Sequence, residues 1–187
     1  MCKVLKSIHG KTADEILKKY GQDDSIPVNL NMLLLNIGLS ALPFDFTEYE
    51  NKIGVPKGNV LGLVVSKGDN AAIFYKQDDT LNRQRFTIAH ELAHCCLGFT
   101  DGNKPHIEFR LNEYDKDEHE RTADIFAGQL LIPLKKLREV YLDLAIPDSV
   151  TLASKFAVSI NVMEARLNHL KVSHFNKDGQ AVVYENE

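Results

Sequence analysis

The sequence predicts an α+β fold that is mainly helical and carries a small antiparallel β-sheet beside one central helix. Apolar residues recur at helical spacing in several separate segments of the 187-residue chain. Val60 to Ser66 and Ala71 to Lys76 have the composition of strands, and the turn-forming residues 67–70 join them into a hairpin. A mostly apolar helical segment follows directly and begins near Asp79 or Thr80. We therefore expect the hairpin to bury one face against that helix.

Two helices are predicted before the hairpin. Residues 12–15, Thr-Ala-Asp-Glu, have the pattern of a capping box, and apolar residues continue at helical spacing until Gly21. The second helix spans residues 30–37, with Asn29 or Asn31 as its N-cap. Both helices belong to the N-terminal part of the predicted domain.

The segment between the second helix and the hairpin is predicted to be a short strand followed by a loop. Residues 39–42 are suited to a strand, which should end near Pro43 because proline donates no ladder hydrogen bond. Residues 45–58 contain Gly54 and Pro56 among several charged side chains. We expect this stretch to be a loop.

The region after the central helix is predicted to contain a short strand, further helices and a terminal hairpin. Residues 106–110 suggest the strand, and the acidic run 115–120 begins the next helix. Pro133 ends that helix and is suited to begin another. The tail, residues 174–184, looks like a hairpin around Asp178-Gly179.

Residues 148–170 resemble a helix-turn-helix in the spacing of their apolar side chains. A DNA-binding module of that kind needs a basic face. The charged residues of this segment cancel: Asp148, Lys155, Glu164 and Arg166. We therefore expect the segment to pack against the rest of the domain and not to bind nucleic acid.

Composition and charge are those of an ordinary globular protein. Hydrophobic residues make up 44% and charged residues 26% of the chain, and the net charge of −4 disfavours non-specific binding to DNA or anionic membranes. No segment approaches the roughly 18 continuous apolar residues of a membrane span. Residues 1–10 contain Lys3 and Lys6 and do not resemble a signal peptide. We expect a cytoplasmic protein without a membrane partner.

A pattern typical of metal sites lies in the central helix. Residues 90–94 read His-Glu-Leu-Ala-His. Histidines four residues apart lie on one face of a helix and can bind one metal ion, and Glu91 between them is placed to accept a proton from a water. A solvent-exposed helix that happens to carry two histidines is the alternative. This alternative is disfavoured by the apolar residues around the motif: Phe86, Ile88, Ala89, Leu92, Ala93 and Leu97.

A zinc site needs a third protein ligand. The continuation His-x-x-Gly-x-x-His is absent, because Leu97 and Thr100 occupy the glycine and histidine positions. Glu120 is the best candidate, since it lies three residues before Ala123 and extends the apolar stripe of the next predicted helix. A residue that only complements the helix dipole is the alternative reading of Glu120.

Further candidate residues lie close to Glu120 in the sequence. Glu113, Glu118 and His119 remain alternative ligands if Glu120 is not one. Asp124 lies one turn after Glu120 and is placed to accept the free ring N–H of His90 or His94, which would set the tautomer of that histidine.

The three cysteines are odd in number, and Cys95 and Cys96 are adjacent. A disulfide framework is therefore not expected, which agrees with a reducing cytoplasm. The pair follows His94 by one and two positions, so neither thiol shares its helix face. We expect both to be buried and inert.

Residues 85–94, together with Glu120-x-x-Ala123-Asp124 and the run from Phe126 to Pro133, are similar to the ImmA/IrrE family of zinc metallo-endopeptidases. The similarity extends over about residues 25 to 172. It implies a zincin-like metalloprotease domain of the gluzincin type that binds one Zn²⁺ per chain. It further implies that His90, His94 and Glu120 bind the zinc and that Glu91 is the general base.

A length of 187 residues is enough for one compact domain and marginal for two, so we expect a single metallopeptidase domain over residues 1–187. Within it we expect N-terminal helices in 11–38, the sheet and the zinc helices in 39–132, and a helix-turn-helix-like packing segment and hairpin in 133–187. Enzymes of this kind often use a second group to stabilise the oxyanion. The possible electrophiles lie between the ligands, and spacing does not rank them: Tyr114, His106, His119 and Arg110.

The resemblance also implies a function. Relatives act on a cytoplasmic transcriptional repressor, so we expect limited cuts in a protein substrate, namely a DNA-binding repressor of the helix-turn-helix class. Selectivity would depend on the loop 45–58 and on the acidic stretch 113–120, which would favour a basic partner. The alternative is a non-catalytic regulatory binding protein that retains the metalloprotease fold. The intact Glu91 favours the enzyme, because binding alone has no chemical need for it.

Overall fold

The computed structural model of the chain describes residues 2–98, 106–109, 117–175 and 181–183. The described helices are α1 (Lys3–Ile8), α2 (Ala13–Lys19), α3 (Leu30–Ile37), α4 (Thr47–Ile53), α5 (Leu81–Leu97), α6 (Glu118–Leu131), α7 (Leu134–Asp143), α8 (Ser149–Phe156) and α9 (Ile160–His169). The described strands are β1 (Ser40–Phe44), β2 (Val60–Lys67), β3 (Asn70–Lys76), β4 (His106–Phe109), β5 (Val172–Phe175) and β6 (Ala181–Val183). The predicted α+β, mainly helical fold is confirmed. None of the described helices is both long and apolar enough to cross a lipid bilayer.

The main sheet has four strands in the order β1-β3-β2-β4. The predicted hairpin is present, with β2 and β3 antiparallel and Lys67 paired with Asn70 beside the turn. β4 adds to the other side of β2, also antiparallel. β1 pairs with β3 in parallel, so the sheet is mixed and not wholly antiparallel. The direction of β1 depends on how the chain crosses from it to β2, which a five-residue pattern does not encode.

The central helix α5 is enclosed by other elements over much of its length. It packs against β2, β3, α1 and α6. All residues from Thr87 to Cys96 are buried, including the polar His90, Glu91 and His94. Burying three such groups on one helix is costly unless each meets a polar or metal partner. The buried polar side chains of α5 therefore mark the candidate functional site.

Most of the described helices begin with a side-chain N-cap, as the sequence predicted for α2 and α3. Thr12 and Glu15 form the complete capping box of α2. Asn29, not Asn31, caps α3, because its side chain accepts from the N–H of Met32. Thr80 caps α5 in the same way through the N–H of Arg83. These caps satisfy backbone donors that have no partner within the helix.

Two N-terminal predictions are corrected by the structure. Residues 3–8 form α1, a helix that the sequence analysis did not predict. The expected loop 45–58 contains the helix α4, and its Glu50 is buried. The Glu50 carboxylate accepts hydrogen bonds of 2.8 Å from the backbone N–H groups of Gly58 and Val60. This segment is thereby fastened to the start of β2, which explains how so polar a stretch is ordered.

The C-terminal helices pack onto the domain, in agreement with the sequence prediction. α9 packs against α6, and the apolar faces of α8 and α9 are buried through Leu152, Phe156 and Met163. The turn between α8 and α9 is held by α5, since Arg85 Nε donates to Ala157 O at 3.1 Å and Asn82 Nδ2 to Val158 O at 3.0 Å. β5 and β6 pair in an antiparallel hairpin, as expected for the tail.

Candidate metal centre and active site

Helix α5 positions two imidazoles on one buried face. His90 and His94 are four residues apart, about one turn, and their exposed fractions are 1% and 0%. Their Nε2 atoms lie 2.9 Å from each other. Two ring nitrogens point to the same place, which is the arrangement that the motif predicted.

Helix α6 contributes a carboxylate to the same place. Asp117 caps this helix by accepting from the N–H of Glu120, so Glu120 lies in its first turn. Glu120 Oε2 is 3.2 Å from His90 Nε2, and Glu120 Oε1 is 3.4 Å from His94 Nε2. Among the described residues, His90, His94 and Glu120 form the group with ligand atoms suited to one metal ion, all within 4.8 Å of one another. We call these three residues the ligand cluster.

The ligand cluster fits a metal ion in both geometry and donor type. Zinc binds histidine nitrogens and carboxylate oxygens at about 2.0–2.2 Å, which places the ligands of a tetrahedral site roughly 3.3 Å apart. The separations of 2.9, 3.2 and 3.4 Å between the three side chains are close to that spacing. Two imidazoles and one carboxylate also form the set that catalytic zinc sites use while keeping one position open.

Asp124 contacts His90 on the ring nitrogen that faces away from the ligand cluster. Its Oδ1 lies 2.9 Å from His90 Nδ1. A carboxylate oxygen accepts, so the ring proton of His90 is on Nδ1 and the lone pair of Nε2 faces the ligand cluster. The sequence predicted this contact with either histidine, and the structure places it on His90.

Glu91 is fully buried and lies against the sheet. Its exposed fraction is 0%, and β2 passes so close that a Cβ atom on Gly62 would be 2.6 Å from Glu91 Oε1. The same Cβ would lie 2.8 Å from Thr87 Cγ2, one turn earlier on α5. Only glycine leaves room for the carboxylate at this point of the strand.

A known protein family matches the part of the chain that contains this site. The IrrE N-terminal-like domain, which defines a peptidase family, matches residues 50–168. The chain belongs to this family. The match covers β2, β3, α5 and α6, which carry Gly62, Glu91 and the ligand cluster. No curated protein matches the sequence.

The IrrE-type domain is therefore metallopeptidase-like, and its His-His-Glu cluster is compatible with a metal ion. Among the described residues, the neighbouring Cys95 and Cys96 are outside the group whose ligand atoms lie within 4.8 Å of one another. Burial, with Cys96 and Glu91 adding to it, raises the pKa of Cys95 well above its ordinary value, and burial raises the pKa of Cys96 to about 12. Both thiols stay protonated near neutral pH, in agreement with the expectation that they are inert.

The other site residues predicted from the sequence are either outside the ligand cluster or outside the described part of the chain. Glu118 and His119 are exposed in the first turn of α6 and are outside the ligand cluster. The backbone of His106 lies in β4, opposite Val64, but its side chain is outside the part of the chain that the structure describes. Tyr114, Arg110 and Glu113 also fall outside the described residues. Their roles stay predictions.

Gly62 is a site residue that the sequence analysis missed. A glycine inside a strand pattern is a signal of close backbone approach. It lies at a register shift between β2 and β4, beside Val60. The signal was present, but only the packing of β2 on α5 identifies what approaches it.

Proposed function

We propose that this IrrE-type domain is a zinc-dependent endopeptidase. The observation that carries the proposal is the convergence of three donor atoms, from His90, His94 and Glu120, beside the buried Glu91. His90, His94 and Glu120 would hold the metal, and Glu91 is one position along α5 from His90. A protein that only binds a partner has no use for a buried carboxylate at that position.

The chain's own residues supply the proton transfers. Zinc, when bound, polarises the scissile carbonyl and makes a water acidic enough to attack near neutral pH. Glu91 accepts the proton of the attacking water and delivers it to the departing amine. Asp124 holds the proton of His90 on Nδ1 and so keeps its Nε2 available as a donor.

The sheet offers a way to hold the substrate in line. β4 is the outermost described strand on one side, next to β2, which contacts Glu91 through Gly62. An extended peptide can pair with such an edge by backbone hydrogen bonds. Edge pairing alone carries little sequence discrimination, because the backbone is common to all peptides. Selectivity therefore requires contacts of substrate side chains elsewhere on the domain.

We propose a cytoplasmic substrate, a helix-turn-helix transcriptional repressor that is cut at one or a few bonds. Family resemblance motivates the class of substrate, and the acidic run that leads into α6 would attract the basic recognition face of a DNA-binding protein. A cytoplasmic enzyme that cut every exposed peptide would damage its host. Limited cleavage fits such a setting better than digestion does.

The test is to incubate the zinc-loaded protein with a helix-turn-helix repressor from the same genome and, separately, with casein. We expect a few discrete repressor fragments, little loss of casein, and no fragments with Glu91→Gln. Extensive degradation of casein with an intact repressor would support the chemistry and contradict the substrate. An intact repressor and intact casein, with zinc bound, would favour the non-catalytic binding protein.

A further inference from the structure

A groove of about 790 Å³ adjoins the ligand cluster. Three helices supply most of its lining residues, among them Arg83 and Thr87 on α5, Arg121 and Asp124 on α6, and Arg166 on α9. Thr87 is one turn from Glu91, and Asp124 is one turn from Glu120. The groove therefore begins one helical turn from both the candidate base and a candidate ligand. Its volume is that of a typical ligand pocket.

The charges that line this groove are mainly positive. Among the described residues that line it, Arg83, Arg121 and Arg166 are basic, and Asp124 is the one acidic residue. Asp124 already contacts His90 Nδ1 at 2.9 Å. The groove thus has an excess of positive charge although the whole chain has a net charge of −4. We call it the arginine groove.

Arg166 gives the arginine groove a fixed charge. Its exposed fraction is 7%, and its Nε donates to Ile132 O at 3.3 Å, which orients the guanidinium. Burial lowers the pKa of Arg166 to about 10, against a smaller opposing effect of Asp14, so the side chain remains protonated near neutral pH. In the described part of the chain no carboxylate forms a salt bridge with Arg166. A charge held in this way interacts more strongly with an incoming carboxylate than an exposed one does.

We propose that the arginine groove binds an acidic segment of the protein substrate and so helps to select the bond that is cut. This proposal rests on the endopeptidase function proposed above. Arg83 precedes His90 by seven residues on α5, or about 10 Å along the helix axis. An extended peptide advances about 3.3 Å per residue. An Asp or Glu about three residues from the scissile bond would therefore reach Arg83.

A peptide fits this groove better than a nucleic acid does. Nucleic-acid sites follow a phosphate backbone with a basic stripe, and the domain that carries them is basic as a whole. Here the three arginines line one concavity between α5, α6 and α9, on a chain of net negative charge. An acidic segment of the substrate is also compatible with a repressor whose DNA-recognition face is basic. The acidic segment would lie near the bond that is cut and not on that face.

The first test measures binding without cleavage. Zinc-loaded Glu91→Gln protein is titrated into fluorescein-labelled decapeptides in which Ala alternates with Glu, Gln or Lys, and anisotropy is read. We expect the Glu peptide to bind about three- to tenfold more tightly than the Gln peptide, and the Lys peptide most weakly. Arg83→Ala combined with Arg121→Ala should abolish the difference. Arg138→Ala, an exposed arginine of α7 outside the groove, is the matched control and should change nothing.

Three outcomes of that test would overturn the proposal. The first is equal binding of the three peptides, and the second is a double variant that binds them like Arg138→Ala. The third is a labelled single-stranded decanucleotide that binds more tightly than the Glu peptide and no longer binds to the double variant, which would assign the groove to nucleic acid. Metal content and melting temperature of each variant exclude loss of the fold. Arg166 is left intact because it also holds the Ile132 carbonyl.

The second test reads the cut sites. The active protein is incubated with a proteome-derived peptide library, and the new termini are sequenced by mass spectrometry. We expect Asp and Glu to be enriched about three positions from the cut on one side, and this enrichment to disappear in the double variant. Cleavage without acidic enrichment contradicts the groove proposal alone. Absence of cleavage, with binding of the Glu peptide retained, contradicts the endopeptidase function and supports the groove as a binding site.

Discussion

Gly62 on β2 and Glu91 on α5 are packed so closely that the strand has no room for a side chain at this point. A Cβ atom on Gly62 would lie 2.6 Å from Glu91 Oε1 and 3.1 Å from Glu91 Cγ. The same Cβ atom would lie 2.8 Å from Thr87 Cγ2, on the preceding turn of α5, so it could not shift away from Glu91 in that direction. The Glu91 carboxylate itself would have to move. Gly62 is therefore a positioning residue for Glu91.

We predict that Gly62→Ala lowers kcat for peptide cleavage by about 100-fold, the loss typical of a misplacement of about 1 Å. Zinc stoichiometry should stay unchanged, because the three atoms nearest to the added Cβ belong to Glu91 and Thr87, which are not members of the ligand cluster. The measurements are steady-state kinetics and metal analysis. Lys67→Ala, at the exposed end of the same strand, is the control. Full activity of Gly62→Ala would show that Glu91 does not need its present position.

A second prediction separates the chemical role of Glu91 from metal binding. Glu91→Gln has nearly the same shape but cannot accept a proton, so cleavage should fall by at least about 100-fold. Zinc content and melting temperature should stay close to those of the wild type. His90→Ala, which removes a ligand, should lose metal and activity together. A Glu91→Gln protein with normal kcat would exclude Glu91 as the general base.

Glu120 should matter for metal affinity. Its carboxylate lies 3.2 Å from His90 Nε2 and 3.4 Å from His94 Nε2. Glu120→Gln replaces the anionic donor with a neutral amide, so zinc affinity should fall by more than the roughly 10- to 100-fold expected of an outer-shell change. Titration with a competing chelator measures it. Glu118→Gln, an exposed neighbour on α6, should bind zinc normally. The reverse result would exchange the roles of the two glutamates.

Two residue pairs of the site were accessible from sequence because helical spacing fixes which side chains of one helix share a face. His90 and His94 are related by one turn, and so are Glu120 and Asp124. The contact of Asp124 with His90 in preference to His94 depends on the relative positions of α5 and α6. That relation comes from packing and is not encoded in either helix alone.

Other features depend on contacts between segments distant in sequence. Residues 45–58 have the composition of a loop, and α4 is stable there because Glu50 bonds to backbone groups at the start of β2. The arginine groove joins Arg83, Arg121 and Arg166, whose separation in the sequence gives no sign of proximity. Tertiary contacts override local propensity in the first case and create the site in the second.

Glu50 should make stability depend on pH. Burial alone would raise the pKa of Glu50, but hydrogen bonds from the backbone N–H groups of Val60, Gly58 and Asn59 hold it below its ordinary value. A carboxylate with a lowered pKa stabilises the fold above its unfolded pKa of about 4.3, and this contribution is lost as the pH falls through the folded pKa.

We therefore expect Glu50→Gln to lower the free energy of unfolding at pH 7 by about 2–4 kcal/mol, because buried N–H donors lose a charged acceptor. The difference from the wild type should shrink as the pH is lowered below about 4. Urea unfolding at several pH values measures both effects. Glu48→Gln, exposed on the same helix, is the control. A pH-independent difference would mean that shape, and not charge, is what Glu50 contributes.

The C-terminal helices should be required for the site although they carry none of its ligands. Arg85 lies five residues before His90 and donates from Nε to Ala157 O at 3.1 Å and from Nη2 to Val28 O at 3.0 Å. It thus ties the metal helix both to the turn between α8 and α9 and to the segment before α3. Its partial burial lowers the pKa of Arg85, which is the cost of placing the guanidinium there.

We predict that Arg85→Ala lowers the free energy of unfolding by about 2–4 kcal/mol, since two carbonyls lose charged donors. Arg138→Ala is the control for the loss of an arginine.

A chain that stops before Asp148 should aggregate, because the surface that covers Phe156 and Met163 in the intact domain becomes exposed. We also expect the intact protein not to bind duplex DNA at about 0.15 M salt, where electrostatic binding is already weakened. Duplex binding that persists there and disappears when α9 is altered would mean that these helices read DNA and are not only packing elements.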